Sequence, residues 1–216
     1  MRTCCVATTN GNEAPEFMST THDSPALFPA PGEVCFLRLL PGPIERVWEF
    51  LTDPEKRGRW LASGPMELRV GGKVSLQFHH ATLTPQPVPE PVPEKYQAMI
   101  TDRGEACDFT GTVTRCEPPH VLAYTWGESK GSRSEVTFKL TPEGRQVWLA
   151  LTHHRLGDDP SQLAGVASGW HTHLAILGAK LAGETPPPFW ATQSRHEATY
   201  AAQLATLSTA ATGVAR

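Results

Sequence analysis

Leu163-Ala164-Gly165-Val166-Ala167-Ser168-Gly169-Trp170-His171-Thr172-His173-Leu174-Ala175-Ile176-Leu177-Gly178-Ala179-Lys180-Leu181 is the stretch whose reading decides the fold. Leu163, Val166, Ala167, Trp170, Leu174, Leu177 and Leu181 return at the 3.6-residue period of a helix and form one apolar side. Asp159 before Pro160 is a start signal, a capping side chain followed by a proline at the first helical position. Gly183 is the stop. Gly165 and Gly169 flank the stripe, and each costs roughly 1 kcal/mol relative to Ala inside a helix. Close approach of another backbone or a ligand is the expectation they raise. The helix over 160–183 therefore carries Trp170 on a face that must be buried.

Upstream of it the period is two. Glu105–Cys116 alternates and ends at Pro118-Pro119. Leu122, Tyr124 and Trp126 then share one face, as do Val136, Phe138 and Leu140, and Val147, Leu149, Leu151 and His153. Turn residues at Gly127 to Gly131 and at Pro142-Glu143-Gly144 separate the last three runs. This is the pattern of an antiparallel meander with one buried face. Further upstream, Val34–Leu40 reads as a first strand. Pro43 opens a helix with Ile44, Val47, Trp48 and Leu51 on one side, and Asp53-Pro54 opens a second short one through Trp60. Gly71-Gly72 is a turn between strand-like Met66–Val70 and Lys73–His80. The order is one strand, two short helices, about six strands and one long helix. A curved sheet with an apolar face needs a cover, and the long helix is the element able to supply it. The expected class is α+β, a helix-grip fold with the antiparallel sheet wrapped around the long C-terminal helix.

Residues 34–183 then form the domain. Residues 1–33 are polar, rich in Pro, Gly, Ser and Thr, and lack periodicity, which predicts a disordered or loosely attached tail, with Met18 as a second candidate start. Residues 184–216 are a C-terminal extension, partly helical. Thr84–Pro93 holds five prolines in ten residues and reads as a solvated loop. A net charge of −3 gives no support for a nucleic-acid or anionic-membrane partner. No apolar run approaches the roughly 20 residues that span a bilayer, and no signal-peptide core is present, so a cytoplasmic location is expected. The five cysteines include no CxxC pair and read as reduced thiols, with Cys107 and Cys116 of opposite parity.

Several motifs in this order resemble one superfamily. They are Val47-Trp48, Asp53-Pro54-Glu55 with Arg59-Trp60-Leu61, Val70-Gly71-Gly72, Gly111-Thr112-Val113 and Glu117-Pro118-Pro119 with Leu122 to Trp126. Leu151-Thr152-His153 and Gly169-Trp170 with Leu174 complete them. Across roughly residues 34 to 204 the chain resembles the SRPBCC or START-like superfamily, which has the birch-pollen-allergen fold. Within it the likeness is to domains similar to the C-terminal domain of the activator of the heat-shock-protein-90 ATPase. Pro187-Pro188-Phe189-Trp190 and Tyr200 to Leu204 are similar to the tail of one bacterial branch. The separate N-terminal domain of the eukaryotic activator has no counterpart here, and the Thr84–Pro93 insertion is longer than the family pattern. The resemblance implies lipid, hormone or polyketide binding, polyketide cyclisation, or a stress-response role beside a chaperone.

The residues themselves narrow these classes. Phe78, Phe109, Tyr124, Trp126, Phe138, Leu149, His153 and Trp170 are the candidate lining of a cavity between sheet and helix. His153 and His154 are adjacent on a strand and point oppositely; His171 and His173 lie about 200° apart on the helix. No metal-ligand spacing such as HExxH is present, so no metal or cofactor is expected. No Gly-x-Ser-x-Gly elbow or paired carboxylates mark a catalytic centre; Asp158 and Asp159 read as loop and cap, Glu105 and Asp108 as a strand end. The expectation is non-catalytic binding of a small hydrophobic or aromatic molecule. The alternatives are a chaperone-linked regulator and a cyclase or hydrolase using Tyr124 and His153 as acid and base.

Overall fold

A computed structural model describes residues 24–87, 97 and 108–213. Strand β1 spans Val34–Pro41, helix α1 Ile44–Thr52, helix α2 Pro54–Gly58, and strand β2 Lys73–Gln77. Strands β3 Asp108–Glu117, β4 Val121–Trp126, β5 Ser134–Glu143 and β6 Gln146–His154 follow. Helix α3 Pro160–Ala182 and helix α4 Phe189–Gly213 complete the order. The strands form one antiparallel sheet in the order β1-β6-β5-β4-β3-β2, so the first strand closes beside the last. This is the α+β helix-grip fold, with α3 lying on the inner face. No helix among the described residues is long and apolar enough to cross a membrane.

Local chemistry sets these elements. Asp53 accepts from the N–H groups of Glu55 and Lys56 to cap α2, and Asp159 accepts from Ser161 N–H to cap α3 ahead of Pro160. Gly183 ends α3 in the left-handed conformation at φ 75°. The inward residues of β5 and β6 alternate as read from the sequence: Val136, Phe138 and Leu140, then Val147, Leu149, Leu151 and His153, are all buried. They meet Trp170, Leu174, Leu177 and Leu181 of α3 in one core.

Four sequence expectations change. Met66–Val70 is not a strand. Only Met66 pairs, in an isolated bridge to Val74, after which the chain coils through Arg69 N–H to Glu67 C=O and Gly72 N–H to Arg69 C=O. Strand β2 stops at Gln77, and His80–Thr82 turns as a short 3-10 helix. Helix α3 is buried on more than its apolar stripe: Ala164, Ser168, His171 and Thr172 are covered as well, because α4 packs along its other side. Thr84, placed in the solvated loop, is buried and accepts from Phe189 N–H at the start of α4. The remainder of that loop beyond residue 87, Glu105, Cys107 and residues 1–23 lie outside the described residues.

Of the two expectations raised by the α3 glycines, the close approach of another backbone is not met. A Cβ built at Gly165 or Gly169 meets nothing within 4 Å, so among the described residues no backbone approaches them. Both are partly exposed. Gly165→Ala and Gly169→Ala should each raise stability by about 1 kcal/mol, since each removes a helix-interior glycine without a clash. Urea unfolding of the two variants checks this; a loss in either means that the space beside the helix is filled.

Candidate functional site

The site begins with the end of strand β4. Gly127 and Gly131, both at φ 77°, bracket a short turn that brings β5 back so that Ser134 pairs with Trp126. The β5–β6 register then pairs Val136 with His153. Trp170, the residue after Gly169 on α3, packs against this corner. Four residues link in a hydrogen-bonded chain. Trp170 Nε1–H donates to His153 Nδ1 at 3.0 Å, His153 Nε2 bonds Ser134 Oγ at 3.0 Å, and Ser134 Oγ–H donates to the Trp126 carbonyl at 3.2 Å. An indole nitrogen only donates, so Nδ1 must accept and the imidazole proton sits on Nε2. His153 is 1% exposed. Burial, with His154 beside it, drives its pKa down to about 3, so the ring is neutral at ordinary pH.

Around this corner lies a continuous set of rings. Ring centroids stand 5.0 Å apart for Trp126–Trp170, 5.7 Å for Phe138–Trp170, 6.0 Å for Tyr124–Phe138 and 6.2 Å for Tyr124–Trp126. Phe78 joins at 6.0 Å from Trp126 and 5.5 Å from Phe109. Seven of the eight expected lining residues are thus in one network, and Leu149, buried on β6, belongs to the same core. Phe109 and Trp126 are partly exposed, as are Val166 and Gly169 on α3, so the network reaches the surface along that edge.

Tyr124 is the unusual member. It is 1% exposed, yet its hydroxyl makes no hydrogen bond among the described residues. Burial pushes its pKa up strongly, offset in part by the nearby Arg57 guanidinium. Arg57 is itself fully buried. Its N–H groups donate to the carbonyls of Ala62 at 3.0 Å and Thr52 at 3.1 Å, and to those of Ser63 and Gly64. Burial lowers its pKa. These bonds fasten the segment after α2 beneath the rings and leave the guanidinium occupied by backbone.

Sequence reasoning missed Ser134, Trp60, His80, His173 and Phe189. Ser134 had a signal, since it shares inward parity with Val136 and Phe138. His173 and His171 diverge as expected, and both are buried. His171 Nδ1 lies 2.6 Å from Tyr200 Oη on α4 and stacks on His196 at 3.6 Å, outside the ring network. His173 Nδ1–H donates to the Trp60 carbonyl at 2.6 Å, and its ring lies 6.2 Å from Phe78 and 5.4 Å from Phe189. Among the described residues, no three His, Cys, Asp or Glu side chains gather where a metal ion could be held.

This arrangement is a packed aromatic network with the Tyr124 hydroxyl among its rings. It is poorly arranged for proton transfer. His153 has both nitrogens committed, and accepting a proton on Nδ1 would expel the Trp170 indole.

The family model for Activator of Hsp90 ATPase homolog 1-like proteins matches residues 41–182. A solution structure of a Bordetella parapertussis protein is 45% identical, covering 84% of this chain and 92% of that one, with a TM-score of 0.66. The crystal structure of CalU16 from Micromonospora echinospora is 25% identical, covering 80% and 88%, with a TM-score of 0.56. A conserved protein of Enterococcus faecalis, 17% identical over 81% and 85%, with a TM-score of 0.56, shares the fold. No curated protein matches the chain.

Proposed function

The chain belongs to the Activator of Hsp90 ATPase homolog 1-like family, and from that premise we propose that it binds a small hydrophobic or aromatic molecule among the rings between sheet and α3, without transforming it. The observation that carries this reading is the set of aromatic rings around Tyr124, which runs from the sheet to α3 and reaches the surface at Phe109 and Trp126. The Tyr124 hydroxyl makes no hydrogen bond among the described residues, and one to a ligand acceptor would contribute about 0.5–1.5 kcal/mol. Ring burial adds about 25 cal/mol per Å² removed from water, enough for micromolar binding without a charged contact. The commitment of both His153 nitrogens speaks against the cyclase or hydrolase reading.

Calorimetric titration of a panel of small aromatics and lipids should give saturable binding. Trp126→Ala and Tyr124→Ala should weaken it at least tenfold, the equivalent of about 1.4 kcal/mol. Saturable turnover of an ester or polyketide-like substrate, abolished in His153→Gln, would replace this reading with the enzymatic one. Family membership also supports a second reading, a regulator beside a chaperone. Leu68 and Val70, exposed on one turn, are apolar side chains such a contact could use. Capture of a purified Hsp90-type chaperone, lost in Leu68→Ser with Val70→Ser, together with no binding in the panel, would favour it.

A further inference from the structure

We propose that His173 sets the selectivity of the ring site by accepting a hydrogen bond from an uncharged hydroxyl or N–H group on the bound aromatic molecule. This rests on the ligand-binding reading above and deepens it.

The argument starts from the tautomer. The Trp60 carbonyl can only accept, so His173 Nδ1 carries the proton in the 2.6 Å bond between them. A neutral imidazole has one N–H, which leaves Nε2 as a lone-pair acceptor. That nitrogen makes no hydrogen bond among the described residues, although His173 is 5% exposed. Burial holds the ring pKa down to about 4, against a smaller upward pull from the Trp60 bond, so the lone pair is present at neutral pH.

The surroundings are those of a receptor for a ring. Phe78 lies 6.2 Å away, Phe189 5.4 Å and His80 5.6 Å, centroid to centroid. Phe78 also touches Trp126, so His173 belongs to the same aromatic wall as Tyr124, which is linked to Trp126. Side chains on a helix lean over the preceding turn. For His173 that turn holds Gly169, beside which a Cβ would find nothing within 4 Å. An acceptor fixed in orientation by the Trp60 carbonyl and set between rings fits a neutral donor. A carboxylate brings no donor and would lose its hydration. A phenol, alcohol or amide N–H on an aromatic frame satisfies the nitrogen.

Four probes isolate the effect at pH 7 by calorimetry: naphthalene, 2-methoxynaphthalene, 2-naphthol and 2-naphthoate. 2-Naphthol should bind about tenfold more tightly than 2-methoxynaphthalene, which matches it in shape and lacks the donor. 2-Naphthoate should bind more weakly than either. In His173→Phe the ratio of naphthol to methoxynaphthalene should fall to about one. In His173→Gln, whose amide can serve both the Trp60 carbonyl and the donor, part of the ratio should return. Tyr124→Phe should weaken both probes and keep the ratio. If His173→Phe fails to fold, the wild type still decides: the Nε2 resonance of His173 in nitrogen-15 spectra should move on adding 2-naphthol and stay with 2-methoxynaphthalene. A wild-type ratio of one, a ratio that survives in folded His173→Phe, or one that vanishes only in Tyr124→Phe overturns the proposal. Binding of naphthalene with no donor preference defeats this inference alone; no binding by any probe defeats the ligand-binding reading as well.

Discussion

Trp170→Ala should lower the unfolding free energy by about 3–5 kcal/mol, the range for deleting a core aromatic side chain. Trp170 is 4% exposed and its ring contacts Trp126, Phe138 and His153. The loss has two parts. One is the indole's own burial and the cavity it leaves between α3 and the sheet. The other is the orphaned His153 Nδ1, which loses its only donor and cannot reach water. Trp170→Phe separates them, because it keeps most of the ring volume and still leaves Nδ1 unpaired; about 1–2 kcal/mol should be lost. Urea unfolding of both variants measures the two quantities. A cost below about 1 kcal/mol for the alanine variant would take Trp170 out of the core and displace α3 from its place on the sheet.

Acid should unfold the protein well before carboxylate titration alone would. His153 and His173 have folded pKa values lowered by burial to about 3 and about 4, from an ordinary 6.5. In the unfolded chain both rings take up protons as the pH falls through 6.5, while in the folded protein they resist. The stability tied to their neutral state is therefore fully present above pH 6.5 and drains as the pH drops toward the folded values. Each ring contributes a slope approaching 1.4 kcal/mol per pH unit, so the two together remove about 4 kcal/mol between pH 7 and pH 5. That is a large share of the 5–15 kcal/mol typical of a domain. Urea midpoints at pH 7, 6 and 5 test it. His153→Gln and His173→Gln should each lower stability at pH 7 and flatten the pH dependence by about half. Equal wild-type stability at pH 7 and pH 5 would show that the rings are not buried neutral.

The legible part of this protein was its parity. On β5 and β6 every second residue is apolar and the turns are marked by glycine and proline, so the inward faces could be read before any partner was known. The same parity brought Tyr124, Trp126, Phe138 and His153 together. The helix stripe identified the side of α3 that meets the sheet. The partners of the polar atoms were not legible. Ser134 reaches His153 because β4–β5 and β5–β6 pair in particular registers, and Trp60 reaches His173 across 113 residues. Those distances depend on how the sheet curls, which no local spacing records. Met66–Val70 failed for a related reason. It has strand composition, but Gly72 lies so close to the Glu67 carbonyl that the chain must coil there. For the glycines of α3 the cost is visible in sequence, and the open space beside them is not.

The bond from Ala26 N–H to Tyr200 Oη joins positions 174 apart along the chain. Loop closure of that length carries an entropic penalty that grows slowly with length but must be met before the contact contributes. Here the loop is closed by everything the chain has already built: the sheet brings β1 beside β6, and α3 gives α4 a surface to lie on. The bond therefore acts as a latch that can engage only when the intervening structure is in place. A domain cut after Gly183 would retain every strand and still lack it, with the polar side of α3 at Ser168, His171 and Thr172 left open to water. The segment matched by the family model is thus a smaller unit than the one that folds to completion.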